Sequence, residues 1–167
     1  MPTPAYITDL RAVWGHRPLL LPGVSGVVVD GEPGREQVLL VRRADTGRWS
    51  VPAGIVEPGE QPADCITREL WEETRVRVRP ERLALLRTDP EISYPNGDRC
   101  QFIAMTFRCG YESGEATVGD EESTEVAWFA VDALPPDLSD HARRRITSSL
   151  PIEGPCRFEF HPEHPPT

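Results

Sequence analysis

The sequence is short of positive charge. Its 18 Lys and Arg residues stand against 27 Asp and Glu residues, which gives a formal net charge of −9 at pH 7 and a pI near 4.9. Proteins that bind the nucleic-acid backbone without sequence preference are normally basic, so this balance argues against such a role. An acidic chain can still hold phosphate groups where metal ions and local arginines neutralise them, and Arg42, Arg43 and Arg99 are the candidates.

Paired cysteines and unbroken apolar runs are also lacking. The four cysteines stand at positions 65, 100, 109 and 156. They form no C-x-x-C pair and no Cys/His cluster with zinc spacing, which favours reduced thiols in a cytoplasmic protein. The apolar run 19–29 is broken by Pro22, Gly23 and Gly26 and follows no basic leader, so it predicts a strand and not a signal or membrane segment. We expect neither a nucleic-acid partner nor a membrane.

One segment in the first half of the chain predicts an amphipathic helix. Residues 63–74 contain no Gly or Pro, and Pro62 stands where a first-turn proline is tolerated. The stripe expected to face a core consists of Ala63, Ile66, Leu70 and Thr74. Cys65 is expected on the polar side of this helix.

Three carboxylates share an arc of about 100° beside that stripe. They belong to Glu69, Glu72 and Glu73, and Arg68 lies one turn before Glu72, where it can orient that carboxylate. Like charges one turn apart repel each other, and a cation offsets the repulsion. Mg²⁺ prefers oxygen ligands and is typically held by one or two carboxylates, waters and substrate phosphates. Taken alone, such a cluster of carboxylates is most often a solvated acidic face of a helix.

A fixed spacing links these carboxylates to the loop before them. The pattern G-x5-E-x7-R-E-(aliphatic)-x-E-E-x-G-(aliphatic) is met by Gly54, Glu60, Arg68, Glu69, Leu70, Glu72, Glu73 and Val76. It resembles the Nudix box, the signature of the Nudix hydrolases. Arg75 departs from it, because the family has a glycine there that ends the helix in a left-handed conformation. Either Arg75 adopts that conformation at a cost on the order of 1 kcal/mol or the helix ends differently.

The likeness extends over residues 22–150. The lead-in Trp49-Ser-Val-Pro-Ala-Gly54 is similar to that of many members, with Ala53 replacing a glycine as it does in members acting on ADP-ribose. The segments 94–98 and 119–129 resemble later parts of a bacterial branch. We expect an N-terminal arm over 1–21, a Nudix domain over 22–150 and an irregular tail over 151–167, which holds five of the 18 prolines.

The remaining patterns predict a mixed α/β chain. Strands are expected over 24–29, 37–41, 49–51, 76–78, 83–87, 101–108, 114–118 and 124–129. A short helix or arm is expected over 6–14, and a C-terminal helix over 138–150. Strands flanking an early and a late helix fit an α/β/α sandwich with a mixed central sheet, which is also the fold that the Nudix resemblance implies.

The resemblance implies a reaction and a set of metal ligands. Nudix enzymes hydrolyse a nucleoside diphosphate linked to another group, and they use Mg²⁺, with Mn²⁺ as the alternative ion. Glu69 and Glu73 are the first-choice ligands, with Glu72 and the carbonyl oxygen of Ala53 as further ones. Glu60 is expected to support the loop and the helix, and Arg68 to orient a carboxylate.

The roles outside the box are less fixed. Glu121 and Glu122 are the candidates for the general base, because many members use a glutamate from a late loop. The candidate substrate-binding residues are Arg42, Tyr94, Arg99 and Phe102. ADP-ribose and other nucleotide sugars are favoured over an oxidised deoxynucleoside triphosphate, because of the Pro-Ala-Gly54 variant and the 94–97 loop.

Two other hypotheses for the function stay open. A non-catalytic, nucleotide-sensing Nudix domain would normally lose box carboxylates, and this chain keeps them. An isoprenoid diphosphate isomerase on the same fold would need a catalytic cysteine in its own motif, which is not found. A small-molecule nucleotide is the expected partner, and a homodimer is the oligomeric state left open.

Overall fold

The computed structural model describes residues 4–94 and 96–160. Within them the helices are α1 (Ala5–Trp14), α2 (Pro62–Thr74) and α3 (Asp140–Ser149), and a 3-10 turn covers Val131–Ala133. The strands are β1 (Leu19–Asp30), β2 (Gln37–Arg43), β3 (Trp49–Ser50), β4 (Ala53–Ile55), β5 (Arg77–Thr88), β6 (Ile92–Ser93), β7 (Arg99–Ser113), β8 (Ser123–Ala130) and β9 (Arg157–Phe158). The described residues do not include 1–3, Pro95 and 161–167. These fall in the predicted arm, the 94–98 loop and the predicted tail, respectively. The division into arm, domain and tail stays a prediction.

One mixed sheet joins the strands. Its main path runs β3-β2-β1-β7-β5-β9, with β4 also paired with β1, β6 with β7 and β8 with β2. The central pair, β1 and β7, is parallel from Leu19↔Cys100 to Val29↔Gly110. β2 and β4 pair with β1 in the antiparallel sense, as β5 does with β7. This combination confirms the mixed central sheet that was expected.

Apolar side chains cover both faces of the sheet, because successive residues of β1 and β2 point to opposite faces. On one face, Val24, Val28 and Leu39 pack with Ile66 and Leu70 of α2. The other face packs against the α3 region and contains Val27, Val29, Val38, Leu40, Leu138, Ala142 and Ile146. The two helical layers confirm the α/β/α sandwich.

The bounds of α2, Pro62–Thr74, confirm the amphipathic helix that is predicted over 63–74 and that contains the box carboxylates. Pro62 is its first residue, and Ile66, Leu70 and Thr74 are fully buried as expected. The expectation for Cys65 is wrong, because its side chain is also fully buried. The Cys65 thiol lies 3.5 Å from the carbonyl oxygen of Ile55, so β4 covers the side of the helix that was expected to be polar.

The end of α2 resolves the question raised by Arg75. This residue has φ 59° and ψ 16°, the left-handed conformation, and its N–H donates to the carbonyl oxygen of Trp71. Arg75 is the only residue other than glycine with a positive φ in the described part of the chain. The helix therefore ends as the family's glycine would end it, and the non-glycine residue bears a cost of about 1–2 kcal/mol.

Several strands differ from their expected lengths. The expected strands over 76–78 and 83–87 form one bulged strand, β5, which pairs with β7 throughout. The strand expected over 114–118 is absent, because this segment crosses the carboxyl end of α2 instead of joining the sheet. The tail contributes the short strand β9 beside β5.

The two other helices bear out the expectations at the ends of the chain. α1 packs Ile7 against Leu21 and Cys100 beside the main sheet. α3 begins at a serine cap, where the Ser139 hydroxyl accepts a hydrogen bond of 3.1 Å from the N–H of Ala142. Across residues 4–94 and 96–160, each helix is too short or too polar to cross a membrane.

Candidate active site

The loop before α2 lies directly on the acidic side of that helix. β4 reaches this position by pairing with β1, with Gly54 opposite Val24. A Cβ atom added to Gly54 would lie 2.0 Å from the carboxyl carbon of Glu69, far inside any real contact. The first glycine of the box is therefore required here because the Glu69 carboxylate packs against its Cα atom.

Glu69 and Glu73 form a buried carboxylate pair one turn apart on α2. Their residues are 2% and 5% exposed. Burial raises the pKa of Glu69 to about 7 and that of Glu73 to about 8. The backbone N–H of Ala53 donates to Glu73 Oε1 at 3.1 Å, so the lead-in loop and the helix share this carboxylate. Two buried carboxylates this close favour a cation between them.

Arg68 connects three carboxylates of the box. Its guanidinium donates to both oxygens of Glu60, at 2.8 and 3.0 Å, and through Nη1 to Glu69 at 3.0 Å and Glu72 at 3.2 Å. The hydrogen bonds from Arg68 lower the pKa of Glu60 to about 2. The Glu72 carboxylate is about one-third exposed, so it is the most accessible of the three box glutamates on α2. Arg68 thus holds the Glu69 and Glu72 carboxylates in a fixed orientation.

The donor set fits a hard cation that brings other ligands with it. The described residues contain no closed group of three His, Cys, Asp or Glu side chains arranged to hold a metal ion. Mg²⁺ does not need such a group, because it usually keeps several waters and takes one or two carboxylates plus substrate phosphates. Glu69, Glu73 and the Ala53 carbonyl offer only oxygen, and the burial of both carboxylates supplies a reason for a cation to bind.

A cavity of about 520 Å³ opens beside this carboxylate pair. That volume lies in the range of small-molecule sites. Its walls at the carboxylate end include Ala53, Gly54 and Glu69. Its apolar part includes Ile7, Leu21, Tyr94, Cys100 and Phe102, and its charged part includes Arg11, Arg43, Asp45, Asp89, Glu122 and Arg145. The site thus joins a carboxylate end to an apolar wall and three arginines, of which Arg11 and Arg145 are mostly buried and Arg43 is half exposed.

Eleven residues are predicted to be metal ligands, catalytic residues or substrate-binding residues, and five of them line this cavity while six do not; Arg43, a candidate for neutralising phosphate groups, also lines it. The lining set is Ala53, Glu69, Tyr94, Phe102 and Glu122. The residues outside it are Arg42, Arg68, Glu72, Glu73, Arg99 and Glu121. Arg68, Glu72 and Glu73 remain connected to the site through α2 and the contacts given above, whereas Arg42, Arg99 and Glu121 do not.

Arg42 and Arg99 therefore find no support as substrate-binding residues. Arg42 pairs with Glu125 on β8 at 2.7 Å and donates to the carbonyl oxygen of Gly47 at 2.9 Å. Arg99 pairs with Glu91 at 2.7 Å and is half exposed. Arg43, the neighbour of Arg42 on β2, faces the cavity instead, and its guanidinium binds both oxygens of Asp45, at 2.9 and 2.6 Å.

The late acidic loop contains one residue that the sequence patterns did not single out. Glu121 is exposed and away from the cavity, whereas Glu122 lines it. Asp120 accepts a hydrogen bond of 3.0 Å from the N–H of Glu122. The other oxygen of Asp120, Oδ2, is buried with no hydrogen-bond partner among the described residues, and its charge contributes to the raised pKa of Glu73. The only sequence signal for Asp120 is that it follows Gly119 directly.

Arg145 and the cavity wall from α1 were also missed. Arg145 lies on α3, pairs with Asp89 at 2.7 Å and has its pKa lowered, chiefly by burial. Ile7 and Arg11 come from a segment that precedes the Nudix-like pattern altogether. Arg11 fastens α1 through hydrogen bonds to the carbonyl oxygens of Arg99 and Arg17, at 2.8 and 2.7 Å. No local pattern predicts the contact of Arg11 with Arg99, because these residues lie 88 positions apart in the chain.

Comparisons with known proteins agree with this geometry. A family model described as NUDIX domain matches residues 19–150. A MutT-like protein from Streptomyces ambofaciens is 36% identical over 138 residues, which cover 83% of this chain and 82% of that protein. The NAD-capped RNA hydrolase NudC of Pseudomonas syringae pv. syringae is 36% identical over 121 residues, covering 71% of this chain. The chain spans only 39% of that NudC's length.

Solved structures lead to the same family. The crystal structure of a MutT NUDIX hydrolase from Burkholderia pseudomallei superposes with a TM-score of 0.62 at 25% identity, covering 78% of this chain and 98% of that one. An ADP-ribose pyrophosphatase from Streptococcus suis shares the fold, with a TM-score of 0.62 at 20% identity, covering 84% of this chain and 98% of that one. The family model, the relatives and the carboxylate helix together show that this chain belongs to the Nudix hydrolases and is a pyrophosphohydrolase.

Proposed function

We propose that the protein carries out Mg²⁺-dependent hydrolysis of the diphosphate bond in a nucleoside diphosphate linked to a second moiety, with ADP-ribose or a nucleotide sugar as the favoured substrate. One observation carries the proposal. Glu69 lines a 520 Å³ cavity whose other walls offer aromatic rings and arginines, and Glu73 is buried one turn away from Glu69 on α2. Such a cavity can take a diphosphate at one end and a nucleoside at the other.

The metal end is built from this chain's own oxygen donors. Glu69 and Glu73 would hold the ion, with the Ala53 carbonyl and Glu72 as further ligands. When bound, the ion supplies charge neutralisation of the diphosphate and a water of lowered pKa. Arg68 keeps the Glu69 and Glu72 carboxylates oriented, and the Ala53 N–H fixes Glu73. These contacts set the geometry before substrate arrives.

Glu122 is the better of the two candidates for the general base. Both residues are exposed, but only Glu122 lines the cavity. Its backbone is held from both sides, because its N–H donates to Asp120 and its carbonyl oxygen accepts from the N–H of Ala44 at 2.7 Å. A base on a fixed loop can accept a proton from the water that attacks the phosphorus. Glu122 suits this role because it is not one of the proposed metal ligands.

The opposite part of the cavity suits a nucleoside and its second group. Tyr94 and Phe102 offer aromatic faces for a base, and Phe102 lies against Gly23, where an added Cβ would meet its ring at 3.2 Å. Arg43 and Arg145 offer guanidinium groups to phosphate oxygens. Arg43 lies close enough to Glu73 for each charge to affect the pKa of the other.

A dinucleotide diphosphate of the NAD type is a second substrate candidate. It is favoured by the similarity to NudC proteins, which are named as NAD-capped RNA hydrolases. NAD and ADP-ribose share an adenosine diphosphate half, so the same cavity chemistry serves both. The net charge of −9 disfavours contacts with an RNA chain beyond the cap.

A substrate screen tests the proposal. Purified protein is incubated with ADP-ribose, UDP-glucose, NAD, a short NAD-capped RNA and 8-oxo-dGTP, with Mg²⁺ and then Mn²⁺, and products are separated by chromatography. We expect two monophosphate products from ADP-ribose or UDP-glucose, with no turnover in EDTA or with Glu73→Gln. Preferred release of pyrophosphate from 8-oxo-dGTP would overturn the substrate class. Tight binding of a nucleotide without turnover of any compound would establish the sensor alternative.

A further inference from the structure

Arg75 holds a conformation that ordinary residues avoid, and it does so where the Nudix pattern has glycine. Its φ is 59°, and it directly follows the last residue of α2. Glycine would adopt this conformation without strain. The arginine side chain must therefore contribute something that offsets the backbone cost or that serves the reaction.

The Arg75 side chain reaches the segment that crosses the end of α2. Its Nη2 donates to the carbonyl oxygen of Gly119. The same segment is tied to the helix by two backbone hydrogen bonds, from the N–H of Thr117 to the Thr74 carbonyl at 3.0 Å and from the N–H of Gly119 to the Glu73 carbonyl at 2.9 Å. A Cβ added to Gly119 would lie 2.0 Å from the carbonyl oxygen of Glu72, so the contact is close.

Two of the three residues that follow Gly119, Asp120 and Glu122, lie near the carboxylate site. Asp120 has one buried oxygen without a hydrogen-bond partner among the described residues, and it lies within electrostatic reach of Glu73. Glu122 lines the cavity and donates its N–H to Asp120. The placement of both carboxylates relative to α2 depends on how the preceding residues are fastened to that helix.

We propose that Arg75 is a positioning residue for the hydrolysis reaction. Its guanidinium, held by the left-handed backbone at the helix end, fastens the Gly119 carbonyl and so fixes the 117–122 segment with Asp120 and Glu122 at the metal end of the cavity. A glycine satisfies the backbone at this position but leaves the Gly119 carbonyl without that donor. This inference rests on the proposed function for the role of Glu122, and not for the Arg75–Gly119 contact itself.

The substitutions Arg75→Gly and Arg75→Lys separate this role from a merely structural one. Arg75→Gly removes both the side-chain contact and the backbone strain, and the relief of strain opposes the loss of the contact and the greater freedom of glycine in the unfolded chain. Its thermal midpoint should therefore stay close to that of the unchanged protein. We expect its kcat to fall roughly 10-fold or more with little change in KM, as for other residues that orient catalytic groups. Arg75→Lys keeps a cationic donor and should recover part of the lost kcat.

Arg77 provides the matched control. Its guanidinium also stacks on Trp71, with its carbon 4.6 Å from the ring centroid compared with 5.8 Å for Arg75, but Arg77 is exposed. Arg77→Ala should therefore leave kcat and KM unchanged. An Arg75→Gly protein with unchanged kcat, or one whose loss of activity follows only a loss of folded protein, would overturn the proposal.

Amide hydrogen exchange supplies a readout that needs no substrate. In Arg75→Gly, the amides of residues 117–122 should exchange roughly 10-fold faster, while those of the β1–β7 pair keep their protection. Unchanged exchange over 117–122 would overturn the fastening role. Absence of turnover by the unchanged protein on every diphosphate would refute the proposed function instead, and the exchange result would still decide whether Arg75 holds the segment.

Discussion

Arg68 donates to both carboxylate oxygens of Glu60, through Nε at 2.8 Å and through Nη2 at 3.0 Å. This paired contact joins the loop between β4 and α2 to α2 itself, across eight positions of the chain. The same guanidinium also holds Glu69 and Glu72. The Nudix spacing of Glu60 and Arg68 is therefore a geometric requirement, because it brings the loop over the carboxylates that the helix presents.

Arg68→Lys is expected to reduce kcat/KM roughly 10- to 100-fold while the protein stays folded. An ammonium group cannot donate to two oxygens of one carboxylate in the planar arrangement of a guanidinium and still reach Glu69 and Glu72. The measurement is a titration of activity against Mg²⁺ concentration, in which the variant should need more metal. A variant with the activity and metal requirement of the original protein would show that Arg68 forms surface ion pairs that do not orient the metal ligands.

The pKa of Glu60 predicts a contribution to acid stability. Its pKa is lowered from 4.5 to about 2 by the hydrogen bonds from Arg68. A depressed folded-state pKa adds stability that is fully present above the unfolded value and is lost as pH falls through the folded value. The free energy of unfolding should thus decline between about pH 4.5 and pH 2. Urea unfolding across this window should show a shallower decline for Glu60→Gln, and equal slopes would contradict the assignment.

Glu73→Gln should abolish most of the hydrolysis and should stabilise the protein when no metal is bound. Burial raises the pKa of Glu73 to about 8, so the folded state binds a proton that the unfolded state has lost above pH 4.5. The stability of the metal-free protein should accordingly fall as pH rises from about 4.5 through 8. A neutral Gln avoids that cost and can still accept the hydrogen bond from the Ala53 N–H.

The corresponding measurement is thermal unfolding in EDTA at pH 5 and pH 9, and then with Mg²⁺. In EDTA at pH 9, Glu73→Gln should melt several degrees above the unchanged protein, and near pH 5 the two should agree. Mg²⁺ should raise the midpoint of the unchanged protein and not that of the variant, which should also lose most hydrolysis. Full metal-dependent activity in the folded variant would remove Glu73 from the ligand set.

The sequence predicted the motif helix and its carboxylates well, because their spacing is local. The bounds of α2 and the burial of Ile66, Leu70 and Thr74 follow from helical periodicity and from the absence of Gly and Pro. The burial of Cys65 did not follow, because it depends on β4 crossing the helix. The same limit explains the missed strand lengths, since β5 and β7 are extended by their pairing with each other.

The differences between the expected site residues and the cavity lining have a similar origin. Strand alternation alone could not decide between Arg42 and Arg43, because the register of β2 against β8 shifts between these two residues. Arg145 could not be found from its own segment, because its place in the cavity depends on the packing of α3 against the sheet. Asp120 was overlooked because its importance lies in a buried oxygen near Glu73, which a sequence pattern does not reveal.

Arg42 and Arg43 offer a matched test of the cavity, since they are adjacent residues of the same type. Arg43→Ala should lower kcat/KM roughly 10-fold or more, because a hydrogen bond between charged groups contributes about 1.5–3 kcal/mol. Arg42→Ala should leave kcat/KM unchanged, since its exposed pair with Glu125 stabilises the protein by less than about 1 kcal/mol. Steady-state kinetics with the preferred nucleotide decides the matter. An equal loss in both variants would mean that substrate approaches from the β8 side, and the cavity assignment would then be wrong.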